Sequence, residues 1–540
     1  MLASVFSKSA RFRFRKTFGA FFALVMAALV YTGCSGPLDP NTSKPIGSQA
    51  DLAKIGADSD YPWNGSYGLT SDIELENWIP IGDETSYFSG SFDGGGYTIT
   101  LKSFDSAAVS QKQYLGIFGY IKGASDTAKA SVKNLNIYSS VNADSSASTD
   151  QYIGSLAGIA ENAELSGITL SGSLSFSSQQ ILFLGGIAGS IQAGALIKNC
   201  TGSMTLDIKP GAKDGANYSY IGGFAGIFKN GGGISDCRNS GSVSAVSEVS
   251  GSQVFAGGIA GGSTYGFSTA YQGFIEDSSS TGNITAKAKG YWTFAGGIAG
   301  TIVGDGDGSF ENTTRIVRCR ADGTVSTAET GSGWPYVGGI VGYNYYGALV
   351  SQSCFTGTVI ADNGSDYTGG IAGYNSQTTG HNSRIEDCWS SGTVQGFNNA
   401  GGIVGQNQVN TYIRRCYSRA AVETTNGSGI GGIAGLNASG QEDAITACVA
   451  LNASITAAKG NNIHRIVGSG AGTLSRNYAR SGLLPATTAG TYTADEGSDK
   501  PDGADCEEKP GETFYTNLGW DFDTVWVMGA DGYPALRWTL

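Results

Sequence analysis

The sequence predicts an all-β chain wound as a right-handed parallel β-helix, a solenoid of short strands stacked coil on coil. Three observations predict it. The first is a phrase of two glycines, an aliphatic residue, a small residue and a glycine. Its first glycine recurs at Gly185, Gly222, Gly257, Gly296, Gly338, Gly369, Gly401 and Gly431. Looser copies at Leu115–Gly119, Gly154–Gly158 and Arg465–Gly468 extend it, and the phase repeats in steps of 30 to 42 residues. Self-similarity at a period of about 20–50 residues marks a stacked repeat. The second observation is a strand-like stretch in each period, clearest as Ile385–Val394, with relatives starting at Ile234, Ile275, Ile316, Ile413 and Ile445. The third is a cysteine at one point of that stretch: Cys200, Cys237, Cys319, Cys354, Cys388, Cys416 and Cys448, with Ser278 filling a gap.

Taken in order, residues 1–33 read as an export signal. Lys8, Arg11, Arg13, Arg15 and Lys16 lead an uncharged apolar run from Phe18 to Val30, shorter than the roughly 20 residues a membrane span needs. The run ends Tyr31-Thr32-Gly33-Cys34, which resembles a bacterial lipoprotein signal in which the cysteine becomes the lipidated first residue; Tyr31 departs from the usual aliphatic there. An ordinary secretory signal is the alternative. Residues 34–47 then read as a polar, proline-bearing tether, which would hold the chain to a membrane through acyl chains on Cys34. The net charge of −12, deepened by loss of the basic leader, excludes a nucleic-acid footprint. Glycine is abundant, at 84 residues, but follows no three-residue period, so collagen is excluded.

Residues 48–112 are expected to cap the stack. Ser48 to Gly56 reads as a short capped helix, and Asp93-Gly94-Gly95-Gly96 as the turn of a hairpin joining Phe88–Phe92 to Tyr97–Leu101. Residues 113–480 carry the repeats, with three short strands per coil and no long 3.6-residue apolar period. Equivalent residues of successive coils stack about 4.8 Å apart, so each inward position becomes a ladder of one residue type. Ten steps at that spacing imply a rod roughly 50 Å long. Parallel crossovers are right-handed in about 98% of cases, which sets the hand. The glycines suit corners with positive φ and close backbone approach. Asn344, Asn375, Asn407 and Asn437, two residues past four successive phrases, suit left-handed turns. The in-phase thiols read as a buried ladder of small apolar groups: parallel side chains lie alongside rather than facing, which disfavours disulfides. Metal binding is the alternative, unsupported by any C-x-x-C pair. Residues 481–512 read as an acidic mobile loop, and 513–540 as a strand pair closing the last coil, with an interaction tail as the competing reading.

At the level of the unit the chain resembles the GLUG repeat, over about residues 88–480. The phrases at 185–189, 338–342, 369–373 and 401–405 and the strand Cys388–Val394 carry the resemblance. It implies a surface or secreted bacterial protein, often adhesin-like. Some such repeats accompany a zinc peptidase that cleaves immunoglobulin A; this sequence has no H-E-x-x-H, so that activity does not carry over.

Candidate sites are few. His381 and His464 lack partner motifs, which argues against a Ser/His/Asp or histidine–zinc mechanism, and no catalytic residue, metal site or cofactor is assigned. Asp305 and Asp307, with Ser309 and Glu311, offer oxygens suited to calcium but lack the full loop spacing. Arg318, Arg320, Arg384, Asp387, Arg414 and Arg415 lie near one strand; they fit either a polysaccharide-active face or ordinary solvated charge. Tyr343, Tyr345, Tyr346 and Tyr374, with Trp334 and Trp389, are the candidate ligand-binding rings, against a purely structural aromatic ladder. Two functions remain: a lipid-anchored surface scaffold or adhesin, expected to be monomeric, that binds a host protein or glycan through one flank, and a polysaccharide-active enzyme. The first is preferred.

Overall fold

The computed structural model describes residues 43–540 apart from 212–217, 264–271, 305–312, 328–332, 363, 365, 378–381, 428 and 471. The expected leader, Cys34, His381, Asp305 and Asp307 lie outside the described residues. Residues 44–540 form one compact unit, a parallel β-helix. From Tyr114 to Ser469 each coil contributes to three parallel sheets, which among the described residues comprise a broad one of 35 strands and two of 11. In the regular phrases one narrow sheet ends its strands at the first glycine, as in Leu182–Gly185; the other begins just after the aliphatic residue, as in Ala188–Gln192. We call these the leading and trailing sheets. The phrase is thus a corner between two strands, and Gly185, Gly222, Gly257, Gly296 and Gly338 sit in register from coil to coil.

The corner explains the glycines, though not through φ. None of the phrase glycines from 185 to 435 has a positive φ. A Cβ on Gly189 would stand 2.6 Å from the Phe183 carbonyl of the leading sheet, and one on Gly185 2.3 Å from the Ala188 carbonyl of the trailing sheet. The outer surfaces of the two sheets therefore meet at a re-entrant angle too tight for any side chain. The middle glycine faces the neighbouring coil: Cβ atoms on Gly223, Gly297, Gly339 and Gly370 would fall 2.1–2.2 Å from the carbonyl oxygens of Gly258, Gly339, Gly370 and Gly402.

The four asparagines are not turn residues. Asn344, Asn375, Asn407 and Asn437 lie within strands of the trailing sheet and are fully buried. Their side-chain amides form a ladder of hydrogen bonds, each Nδ2 donating to the next Oδ1 at 2.8, 2.8 and 3.0 Å. A residue with both a donor and an acceptor repeats along a stack without leaving a buried polar atom unpaired mid-ladder. Asn375→Leu, which removes one rung from both neighbours, is expected to cost about 1–3 kcal/mol, read as a lower midpoint in chemical denaturation.

The left-handed corners lie elsewhere, immediately before the cysteine file. Asn199, Asp236, Asp277, Arg318, Gln352, Asp387, Arg415, Ala447 and Arg476 have φ of 47–55°. Behind this column run Cys200, Cys237, Ser278, Cys319, Ser353, Cys388, Cys416, Cys448 and Asn477, as the register of the residues after them shows. Cys354 is the exception to the expected file: it is one residue late, Ser353 fills its place, and it joins the outward column of Trp389, Tyr417 and Val449. The thiols are free and buried, but they are more than apolar filler. Cys237, Cys388 and Cys416 donate to the carbonyl two residues back at 3.1–3.2 Å, and Ser278 and Ser353 do the same at 2.7 and 2.8 Å. The position selects a small donor, which both cysteine and serine supply. Burial pushes the Cys319 thiol up to about 12, so it stays protonated and unreactive.

At the amino end the expected helix forms as the single turn Gln49–Leu52, ending at Ala53 rather than at Gly56, with the Ser48 hydroxyl accepting from Asp51 N–H at 3.1 Å. The hairpin does not form. Ser91–Asp93 pairs in parallel with Ser66–Leu69 and with Ser131–Lys133; Thr98–Leu101 pairs in parallel with Ile73–Leu75 and with 136–139. The two strands are collinear members of the broad sheet, and the Asp93–Gly96 bend, in which Asp93 accepts from Gly95 N–H at 2.9 Å, only kinks them. The alternation that suggests a hairpin is equally that of two successive strands on one coil face. The stack therefore reaches to Lys44–Ile46, which among the described residues pairs only with the strand after it. Its shortness, its lysine and Pro45, which lacks an N–H, suit an edge.

At the carboxyl end the expected strand pair exists, Trp526–Met528 antiparallel to Pro534–Leu536, but it lies along the side of the stack rather than over the last coil. Trp520, Trp526 and Trp538 donate their indole N–H groups to Ala447 O, Asp387 Oδ1 and Gln352 O at 3.0, 3.2 and 2.8 Å. The strap runs back over four coils and covers the apolar outward column of Cys354, Trp389, Tyr417 and Val449. The acidic segment closes the end instead. Ala504–Cys506 pairs in parallel with Tyr478–Arg480. The Pro501 carbonyl accepts from Ile466 N–H and Val467 N–H at 2.8 and 3.1 Å, the place that the Ile466 carbonyl holds for Ile433 and Ala434 one coil earlier.

Candidate functional site

Along the re-entrant angle the outward residues of the leading sheet stack as rings. Tyr152, Phe183, Tyr220, Phe255, Phe294, Tyr336 and Tyr367 follow one another with centroids 4.4–5.7 Å apart and interplanar angles of 7–22°. In-register parallel strands place like residues one above another, which makes this file unavoidable once each coil carries an aromatic there. The trailing sheet adds Tyr343 and Tyr374 from across the angle, Tyr343 lying 5.7 Å from both Phe294 and Tyr336. Tyr345 stacks on Tyr343 at 4.9 Å, and Tyr346 lies tilted against Tyr345 at 5.7 Å. Four of the six predicted rings thus gather in one cluster, as the sequence reading anticipated.

Two of the four are buried in the cluster and two, Tyr346 and Tyr374, only partly so. Tyr343 and Tyr345 are each 8% exposed, and in the file each ring face is covered by the next ring. A sugar stacks on an open ring face, which the file does not offer. Burial also raises the Tyr374 hydroxyl above its ordinary value, so it stays neutral, and its oxygen accepts from Gln408 Nε2 at 3.0 Å. Trp389 is not part of this cluster. It lies on the broad sheet, stacked on Tyr417 at 5.7 Å and 9° under the carboxyl-terminal strap.

The open rings are at the rim. Trp334 is 43% exposed. It is in register with Trp292, whose ring centroid lies 6.4 Å away, and Tyr291 lies 5.1 Å from Trp292. Trp292 and Tyr291 escaped the sequence reading. The aromatic-rich Tyr291–Phe294, one period before Trp334–Tyr336, was the signal that would have found them.

The arginine face resolves into ion pairs. Arg318 lies 2.6 and 2.8 Å from the two oxygens of Asp277, Arg415 2.8 and 2.8 Å from those of Asp387, and Arg320 2.8 Å from Asp322. Arg384 lies 3.6 Å from Glu386. The hydrogen bonds that Arg415 donates to Asp387 raise its guanidinium further. Arg414 differs, lying 4.0 Å over the ring of Tyr412. Other buried carboxylates serve the backbone. Asp366 accepts from Asn398 N–H, Phe397 N–H and the Thr368 hydroxyl at 2.5, 2.7 and 2.8 Å, and burial still pushes it up to about 6. No group of three or more His, Cys, Asp or Glu side chains among the described residues is placed to hold a metal ion.

No family model matches the chain, and no curated protein matches it. Among solved structures it is similar to a protein called a "putative immunoglobulin A1 protease" from Bacteroides ovatus. The two share 14% identity over 92% of this chain and 93% of that one, with a TM-score of 0.24, a likeness too slight to bear on activity.

Proposed function

We propose that this chain is an exported, Cys34-lipidated bacterial surface protein of the GLUG-repeat kind, non-catalytic, which displays a β-helix and binds a glycan or host protein on its aromatic flank. One observation carries the reading: the Trp292–Trp334 pair, with Trp334 open to solvent on a paired strand and Trp292 edge-on to Phe294 of the stacked file of rings. Flat rings on a fixed support bind at low conformational cost. The engagement of Asp366, Asp387 and Asp502 by backbone or cationic partners favours binding over acid–base chemistry, which needs a carboxylate within reach of a substrate proton. The test is a glycan-array and matrix-protein binding screen with the mature chain, polysaccharide cleavage being measured in parallel. Trp334→Ala is expected to weaken the strongest hit about tenfold or more without lowering the unfolding midpoint. Turnover of any polymer overturns the non-catalytic reading, and an unchanged affinity in Trp334→Ala removes the flank from it.

A further inference from the structure

The left-handed corner column carries a repeated ion pair with a fixed order. An aspartate in one coil takes both forks of an arginine in the next: Asp277 with Arg318, then Asp387 with Arg415. The pattern starts a third time with its acid missing. Ala447 stands where the aspartate belongs, at φ 55°, and Arg476 follows one coil on at φ 52°. No ion pair holds Arg476 among the described residues. Beside Ala447 lies a hollow of about 320 Å³ lined by Arg414, Arg415, Asp443, Thr446 and Arg476 and roofed by Leu518 of the strap. Arg414 is fixed over Tyr412, and its buried Nε has no partner. Arg415 is already paired with Asp387 and Glu386, so two guanidiniums without an ion-pair partner among the described residues, Arg414 and Arg476, share the hollow with Asp443 in a chain whose net charge is −12.

We propose that this hollow binds an oxyanion, a carboxylate, sulfate or phosphate, which takes the place of the missing aspartate carboxylate beside Ala447 and is gripped by the fork of Arg476 with Arg414 alongside. Guanidinium matches such groups bidentately, and the two existing pairs show the corner geometry that does it. Ala447 is small enough to leave the room. Coil stacking sets Arg415 and Arg476 one spacing of about 4.8 Å to either side of it. The site is on the corner of the broad sheet, away from the aromatic rim, so it stands or falls independently of the glycan reading.

The test uses the whole mature chain. Thermal midpoints and titration calorimetry are measured with sodium sulfate, phosphate and glucuronate against sodium chloride at matched ionic strength, since unspecific charge effects are screened alike. A second arm uses dextran sulfate and polygalacturonate, with neutral dextran as control. The expected result is an oxyanion-specific rise in midpoint, weakened at least tenfold in Arg476→Gln. Ala447→Asp, which restores the pattern, is expected to abolish binding and to raise the midpoint without ligand; it also carries the test if Arg476→Gln fails to fold. Tighter binding of a charged polymer than of its free anion assigns the site to a group carried on a polymer, and equal binding to the free ion. A wild-type response to the oxyanions no greater than to chloride, or an unchanged affinity in either folded variant, overturns the proposal.

Discussion

Gly370→Ala is expected to lower stability by about 3 kcal/mol or more, while Gly440→Ala is expected to be silent. The added methyl at Gly370 would lie 2.1 Å from the Gly402 carbonyl oxygen and 2.7 Å from Ser390 Cβ; at Gly440 it would meet nothing within 4 Å. Overpacking against a side chain costs about 1–3 kcal/mol because the neighbour can turn. Here the neighbour is backbone, fixed by its own strand pairing, and relief requires two coils to separate. That breaks the rungs on both sides, Gly370 N–H to Gly401 O and Ile371 N–H to Ile403 O at 3.2 and 2.9 Å. In a stack whose stability is the sum of unit terms and neighbour interfaces, the damage should localise. The measurement is chemical denaturation followed by circular dichroism. A single cooperative loss should split into two transitions in Gly370→Ala. A midpoint equal to that of Gly440→Ala would show that the corner has slack.

The contrast also shows what a repeat sequence makes legible. A period marks which residues share a column, because every coil votes on the same position. The register of the glycines and the winding itself were therefore plain. What the column does is less so, since several physical demands select the same residue. Glycine is chosen for close approach as well as for positive φ, and only the geometry of the re-entrant angle separates them. Asparagine suits a left-handed turn and equally a buried amide ladder; both recur once per coil. The hairpin expected at Asp93–Gly96 failed for a related reason: alternation along a strand reports burial on one face, not the direction of the strand beside it. Cys354 was misplaced by one residue because an outward column became apolar where the strap covers it, and the strap comes from far along the chain.

The site was legible in the same uneven way. The sequence placed Tyr343, Tyr345, Tyr346 and Tyr374 together correctly, since adjacent coils put equivalent residues in contact. It could not tell a ring whose face is open from one covered by the ring above, which depends on the angle between two sheets. The arginine face is the reverse case. Charges near one strand looked like solvated surface, and most are paired, but the order of the pairs reveals the coil at Ala447 where a partner is missing.

Asp502→Ala should unfasten the carboxyl-terminal end of the stack, at a cost of about 3–5 kcal/mol. Asp502 is fully buried, and its carboxylate accepts from Arg465 N–H and Asp495 N–H at 2.8 and 2.7 Å and lies 3.0 Å from His464 Nδ1. Arg465, 2% exposed, is held in turn by the Asp502 and Gly503 carbonyls at 3.0 and 3.2 Å and by Asp505 at 2.6 Å. Removing the carboxylate orphans two N–H groups and loosens the segment that carries Pro501, whose carbonyl terminates the trailing sheet at Ile466 and Val467. Burial alone would raise the Asp502 carboxyl, but the hydrogen bonds from His464, Asp495 and Arg465 outweigh it and hold the group below its ordinary value of 3.8. A depressed carboxyl stabilises the fold above its unfolded value and loses that contribution as pH falls through the folded one. The wild-type end should therefore loosen below about pH 4, and Asp502→Ala should already be loose at pH 7 and lack that acid limb. Amide hydrogen exchange at Ile466 and Val467 reports the end directly. Fast exchange in the variant with slow exchange retained at Ile433 is the expected pattern, because the next coil inward then becomes the exposed edge, with the association hazard of any unpaired strand. Equal protection at 466 and 467 in both proteins would mean that the Pro501 carbonyl is held without Asp502.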